Sequence, residues 1–190
     1  MAMSLLVCAS TFAVFTYVAP LLLEETGISV GALPLMLLLF GVGGAAGMVI
    51  GGRLGDWKPL DSVAVLSLAY AVFYLILTAV VGSIALMGAA MILWGFLFLA
   101  PCVPLQTRVV RKAIDGPNLA STLNQSAFNV GNALGPTLGA AALALGFGYR
   151  ALPWIGSALA LLCAATALFS RALDRAEPVP VTDGRPSAPR

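Results

Sequence analysis

The residues able to do chemistry in this chain are almost all uncharged. The densest group is Ser121, Thr122, Asn124, Gln125, Ser126, Asn129 and Asn132. On a helix, Asn124, Phe128 and Asn132 share one face, and Gln125 and Asn129 lie on an adjoining one. Carboxamides donate and accept hydrogen bonds without carrying charge. The pattern therefore fits recognition of a polar solute, and it fits equally a set of hydrogen bonds to a neighbouring helix. Asn129 and Asn132 lie deepest and are the stronger solute candidates. Near the start of the chain, Ser4, Cys8, Thr11 and Phe15 fall on one helical face, with Thr16 and Tyr17 beside it. Hydroxyls with aromatic rings line pockets for mixed polar and apolar ligands. Thr11, Phe15, Thr16, Asn124, Phe128, Asn129 and Asn132 are thus the candidate binding residues. Tyr17 also suits an interfacial anchor. Trp94, Phe96 and Phe98 fit lipid-facing packing better.

Other chemistries are poorly served. There is no histidine, and Cys8, Cys102 and Cys163 lie far apart in apolar sequence. No metal site and no cofactor are expected. No nucleophile has a base near it in sequence, which argues against an enzyme. No Asp, Glu, Lys or Arg falls in the middle of an apolar stretch.

The 190 residues are 60% hydrophobic and 9% charged, whereas a soluble domain carries about 25% charged residues. Too few charges remain to cover a water-facing surface, so the chain reads as an integral membrane protein. A net charge of +2 gives no reason to expect a nucleic-acid partner.

Six apolar stretches must position these residues, since about 20 helical residues cross a bilayer core. They are about 2–23, 30–52, 60–81, 84–105, 118–145 and 151–169. The first lacks a basic leader and is long for a signal peptide, so it reads as a retained span. Ser29 suits an N-cap, Pro34 an early helical position, and Gly82-Ser83 a tight turn. Pro101 and Pro104 are expected to kink the end of the fourth stretch. Residues 1–175 form one all-α bundle on this reading, and 176–190, rich in Pro and polar residues, a disordered tail. Arg53, Lys58, Arg108, Arg111, Lys112, Arg171 and Arg175 follow the even-numbered stretches, whereas Glu24, Glu25 and Arg150 lie on the other side. This bias puts both termini in the cytoplasm.

Two glycine stripes run through the bundle. Gly43, Gly47, Gly51 and Gly55 recur every fourth residue and run into Arg53, Asp56 and Lys58. Gly131, Gly135 and Gly139 form the second stripe, with Pro136 inside it. Such faces let two helices approach closely, either as fixed packing or as a surface on which one helix rocks.

Four segments resemble a known family. Thr11-Phe-Ala-Val-Phe-Thr-Tyr17-Val-Ala-Pro20 is similar to the seventh helix of major facilitator superfamily transporters. Leu37 to Gly44, continuing to Gly51-Gly52-Arg53-Leu54-Gly55-Asp56, is similar to the eighth and its following loop. Phe128-Asn129-Val-Gly131-Asn132-Ala-Leu-Gly135-Pro136-Thr-Leu-Gly139 is similar to the eleventh. Gly146-Phe-Gly148-Tyr149-Arg150-Ala-Leu-Pro153-Trp154 is similar to the entry of the twelfth. Over residues 1–172 the chain resembles the C-terminal six-helix half of such a transporter, most closely in the bacterial arabinose-efflux and drug/proton antiporter branch.

The resemblance implies a secondary transporter in the bacterial inner membrane. It would export a sugar-like solute or amphipathic drug by alternating access, driven by protons. Its partners would be the lipid bilayer, a small-molecule solute, and a missing N-terminal six-helix half or a second half-transporter. Gly52, Leu54 and Asp56 match the family's loop signature, with Trp57 where a basic residue is usual and Pro59 where glycine is usual. By resemblance Asp56 helps to gate the charged end, and Arg53 and Lys58 are its expected local partners. Gly131, Gly135, Pro136 and Gly139 resemble the antiporter motif. The coupling acid is expected in the other half. The contrasting reading is a homo-oligomeric six-span channel or membrane scaffold that uses the glycine stripes as oligomer contacts.

Overall fold

The computed structural model describes residues 1–113 and 116–176. The tail expected at 176–190 lies outside the described residues except for Ala176, which ends the last helix.

Helix α1, Ala2–Phe15, breaks at Thr16 and Tyr17. A short α2, Val18–Pro20, then leads into a π-helical stretch, Leu21–Thr26. The two parts are bent by 45°, so the single span expected over 2–23 is a broken one. Pro20 explains the position of the break. It has no N–H, so the Thr16 carbonyl one turn earlier loses its helical donor. Gly27, at φ +74°, closes the segment in a left-handed conformation that suits glycine.

Helix α3, Leu33–Trp57, follows a 3-10 turn, Val30–Ala32. Ser29 is extended and makes no side-chain cap. Pro34 occupies the first turn as expected. The helix runs five residues past 52, so Arg53 to Asp56 are helical rather than loop. It ends where Pro59 forces the preceding Lys58 out of the helical region, to φ −140° and ψ 78°. Pro59 then opens α4, Pro59–Val80.

Helix α5, Ile84–Lys112, carries Pro101 and Pro104 in its interior and continues seven residues beyond 105. Helix α6, Pro117–Ala144, stops at Gly146 (φ +87°). The Gly146 N–H bonds to the Leu143 carbonyl and the Phe147 N–H to the Ala142 carbonyl, the paired closure of a Schellman motif. After a 3-10 turn at Tyr149–Ala151, α7 spans Leu152–Ala176, seven residues beyond 169.

Val30–Trp57, Pro59–Val80, Ile84–Lys112 and Tyr149–Ala176 are long and apolar enough to cross a membrane, and the bent pair around Tyr17 makes a fifth candidate. Helix α6, at 28 residues, is about 42 Å long, but its amides and hydroxyls dilute its apolar character. Three close pairs build the bundle: α3 with α5, α1 with α6, and α4 with α7. Helix α1 also packs on α7, and α4 on α5.

Candidate functional site

Both glycine stripes are seams between helices. A Cβ on Gly43 or Gly51 would overlap the carbonyl oxygen of Ile92 or Ala100, and one on Gly47 would lie 2.5 Å from the Phe96 oxygen. Gly55 meets Pro104. Each step of four residues on α3 thus answers a step of four on α5. Gly95 returns the arrangement by admitting the Phe40 carbonyl. On α6, Gly131, Gly135 and Gly139 admit the backbone of Leu5, Ala9 and Ala13 of α1. The ring of Tyr17 crosses Gly139, and its hydroxyl donates to the Pro136 carbonyl at 2.8 Å. The break in the first span is therefore docked on the proline of α6.

The candidate binding residues divide between the interior and the uncovered face of α6. Asn124 is fully buried. Its Oδ1 accepts from Ser4 at 2.7 Å, and its Nδ2 donates to Gln106 Oε1 at 2.7 Å. Gln106 in turn donates to Ser121. This chain of bonds ties α1, α5 and α6 together and uses the Asn124 amide within the protein. Thr11 is also fully buried. It donates to the Val7 carbonyl and lies 2.9 Å from the Tyr70 hydroxyl. Phe15 is half-buried and stacks on Phe40, with ring centres 4.4 Å apart. Thr16 is exposed at the helix break. Gln125 and Asn129 are exposed, and Asn132 is half-buried. The buried Asn132 Oδ1 has no hydrogen-bond partner among the described residues.

Between α3, α5 and α6 lies an open cleft of about 300 Å3. Met48, Leu99 and Phe128 form its apolar wall, and Gln106, Thr107 and Gln125 its polar edge. None of its lining residues is charged. The arrangement suits a neutral solute with one apolar and one hydrogen-bonding side.

Sequence reasoning missed the hub beneath this face. The Tyr70 hydroxyl receives the Trp94 indole N–H at 2.8 Å and lies 2.9 Å from the Tyr74 hydroxyl. Tyr74 also donates to the Ser10 carbonyl at 3.0 Å. Trp94 is fully buried rather than lipid-facing. Phe98 joins Phe12 and Phe40 in an aromatic wall. The available signal was Tyr70 and Tyr74 one helical turn apart in an apolar stretch, which placed two hydroxyls on one buried face.

The charged end is a set of interhelical pairs. Asp56 binds Arg111 at 2.9 Å, so its partner is on α5 and is neither Arg53 nor Lys58. The extension of α3 and α5 beyond their expected ends brings the two together. Gly52 and Leu54 lie in the same final turns of α3. Arg53 is exposed, and Lys58 lies over the Trp57 ring at 5.0 Å. Arg108 grips Asp174 and Ser170, each at 2.9 Å, and Lys112 adds a second contact to Asp174. These hydrogen bonds, Arg108 first, hold the Asp174 carboxyl below its usual 3.8. Arg171 binds Asp61 at 2.8 Å. At the other end Arg150 pairs with Glu25.

Residues 1–189 match the family model described as Major Facilitator Superfamily. The chain belongs to that superfamily. It is 34% identical over 149 residues to the inner membrane transport protein YdhP of Escherichia coli (strain K12), covering 78% of this chain and 38% of that protein. It is 33% identical over 143 residues to a chloramphenicol resistance protein of Streptomyces lividans, covering 75% and 36%. It is 28% identical over 140 residues to the "Probable sugar efflux transporter" of Mannheimia succiniciproducens, covering 72% and 34%. The chain thus spans less than two fifths of the length of these relatives. Membership in the Major Facilitator Superfamily agrees with the long apolar helices and makes the chain part of a multi-pass membrane protein.

Proposed function

We propose that this chain is a six-helix half of a secondary transporter of the bacterial inner membrane, with both ends cytoplasmic, working by alternating access. All of α1 to α7 takes part, with α6 as a crossing helix whose polar face is turned from lipid. The solute is small, neutral and partly apolar, and its movement is outward. The observation that carries this reading is the uncharged cleft of Met48, Leu99, Gln106, Gln125 and Phe128 on the open side of the bundle. Names such as chloramphenicol resistance and sugar efflux among the relatives agree with that chemistry. A second six-helix half supplies the facing wall, since two halves rocking about a midplane site is the architecture of such carriers. It also supplies the proton-coupling acid, because no carboxylate lines this cleft.

The test is reconstitution of the chain in vesicles, alone and together with a six-helix N-terminal half. Saturable uptake of a phenicol or a pentose that follows an imposed pH gradient, in the paired preparation only, is the expected result. Replacing Gln125 with Ala should raise the half-saturation concentration. Solute-independent conductance from the chain alone would replace this reading with the oligomeric channel.

A further inference from the structure

Two cavities at the charged end of the bundle share a wall. The first, about 390 Å3, is bordered by Lys58, Asp61, Arg108, Arg171, Asp174 and Arg175. Four cations there face two carboxylates. The second, about 240 Å3, runs between α3 and α4 along Leu54, Trp57, Val65 and Leu66, with Lys58 and Asp61 at its mouth. The internal ion pairs do not exhaust the cationic cup. Arg108 uses both terminal nitrogens on Asp174 and Ser170. Arg171, however, makes its closest approach to Asp61 with Nε, at 2.8 Å, and among the described residues its terminal nitrogens are left for another acceptor. Among the described residues, neither Lys58 nor Arg175 has a carboxylate partner. Trp57, 75% exposed beside Lys58, suits the water boundary of a bilayer.

We propose that the two cavities together seat one anionic phospholipid. Its phosphate sits in the cup facing Lys58, Arg171 and Arg175, and an acyl chain lies in the groove along Leu54, Val65 and Leu66. A guanidinium with two free nitrogens matches two phosphate oxygens. A free phosphate would fill only the cup. The adjoining groove, almost wholly apolar below its mouth, is what selects a lipid.

The test uses the chain in phosphatidylcholine vesicles doped with phosphatidylglycerol brominated on its acyl chains. Bromine quenches nearby tryptophan, and comparison with Trp57→Phe isolates the Trp57 signal. Trp57 quenching should reach its midpoint at a mole fraction of brominated phosphatidylglycerol about fivefold lower than of brominated phosphatidylcholine. Lys58→Gln or Arg175→Gln should each abolish most of that preference, and Lys58→Arg should keep it. Neither side chain holds an ion pair among the described residues. Lys58 does lie over the Trp57 ring, so Arg175→Gln is the variant that leaves the reporter's own contacts in place, and a thermal melt verifies that both variants stay folded. Equal quenching by the two lipids, or an unchanged preference in both glutamine variants, would overturn the proposal. Complete reversal by millimolar glycerol phosphate would also overturn it, in favour of a free-phosphate site.

Discussion

Gly51 of α3 lies directly against the carbonyl oxygen of Ala100 on α5. Pro104, four residues on, has no N–H to give that oxygen. The glycine hydrogen that occupies the Cβ direction points at it instead, a weak Cα–H···O contact. The seam thus uses a proline to free an acceptor and a glycine to reach it. Gly51→Val should push the two backbones apart and lower stability by about 1–3 kcal/mol. The adjacent Gly52 has nothing within 4 Å of a Cβ, so Gly52→Ala should be neutral or slightly stabilising. Thermal unfolding in detergent compares the two, and equal losses would refute the seam.

Tyr70 and Tyr74 look alike in sequence and differ in what they leave behind. Removing the Tyr70 hydroxyl strands the Trp94 indole N–H in a fully buried site. Removing the Tyr74 hydroxyl releases the Ser10 carbonyl, which retains a backbone donor within α1. Tyr70→Phe should therefore cost about 1–3 kcal/mol, the range for an orphaned buried donor, and Tyr74→Phe about 1 kcal/mol. The order of the two unfolding midpoints decides the point.

Much of this fold was legible because its rules are local. Glycine spacing marked both seams, and apolar run lengths marked the helices. Helix ends were less legible. Pro101 and Pro104 read as a kink at the end of a stretch closing near 105, yet α5 runs on through them to Lys112, with Gly51 and Gly55 packed against Ala100 and Pro104. That continuation brings Gln106 to Asn124 and Arg111 to Asp56, contacts between residues distant in sequence. The break at Tyr17 had its signal in Pro20, but the docking of Tyr17 on Pro136 depends on the α1–α6 pairing. Helical phase groups Asn124, Phe128 and Asn132 on one face, but phase alone cannot say which face a neighbouring helix covers.

The two asparagines on α6 should separate accordingly. Asn124→Leu breaks bonds to Ser4 and Gln106 and should destabilise the bundle by about 1–3 kcal/mol through the partners left unpaired. Asn129→Ala alters an exposed side chain and should leave the unfolding midpoint nearly unchanged, within about 0.5 kcal/mol. On the proposed transport reading, Asn129→Ala changes solute affinity in the paired preparation. A loss of stability from Asn129→Ala would assign that amide to packing.

Asp174 provides a pH dependence of defined sign. Its carboxyl titrates below 3.8 in the folded chain because Arg108 and Lys112 donate to it. A depressed folded value means that the contribution is complete above 3.8 and is lost as the pH falls through the folded value. The stability difference between the native chain and Asp174→Asn should thus be constant at neutral pH and shrink on acidification below 3.8. Melts recorded across that range test it, and a gap independent of pH would mean that the charge on Asp174 is not what ties α5 to α7.

Asp56 and Arg111 are both more than half exposed, so their pair is worth only about 0–1 kcal/mol of stability. Its consequence lies in where it acts, joining the ends of α3 and α5 on either side of the glycine seam. If the pair biases the proposed alternation, Asp56→Asn and Arg111→Gln should shift accessibility in the same direction while the unfolding midpoint barely moves. A cysteine introduced at position 125, in a background carrying Cys102→Ala and with Cys8 and Cys163 buried, reports access to the cleft when alkylated from each side of the membrane. The ratio of the two labelling rates should change in both variants and return towards the native value in the charge-swapped double variant Asp56→Arg, Arg111→Asp. Recovery identifies the pair rather than either charge as the control element. An unchanged ratio in the single variants would leave Asp56 as a solvated surface acid.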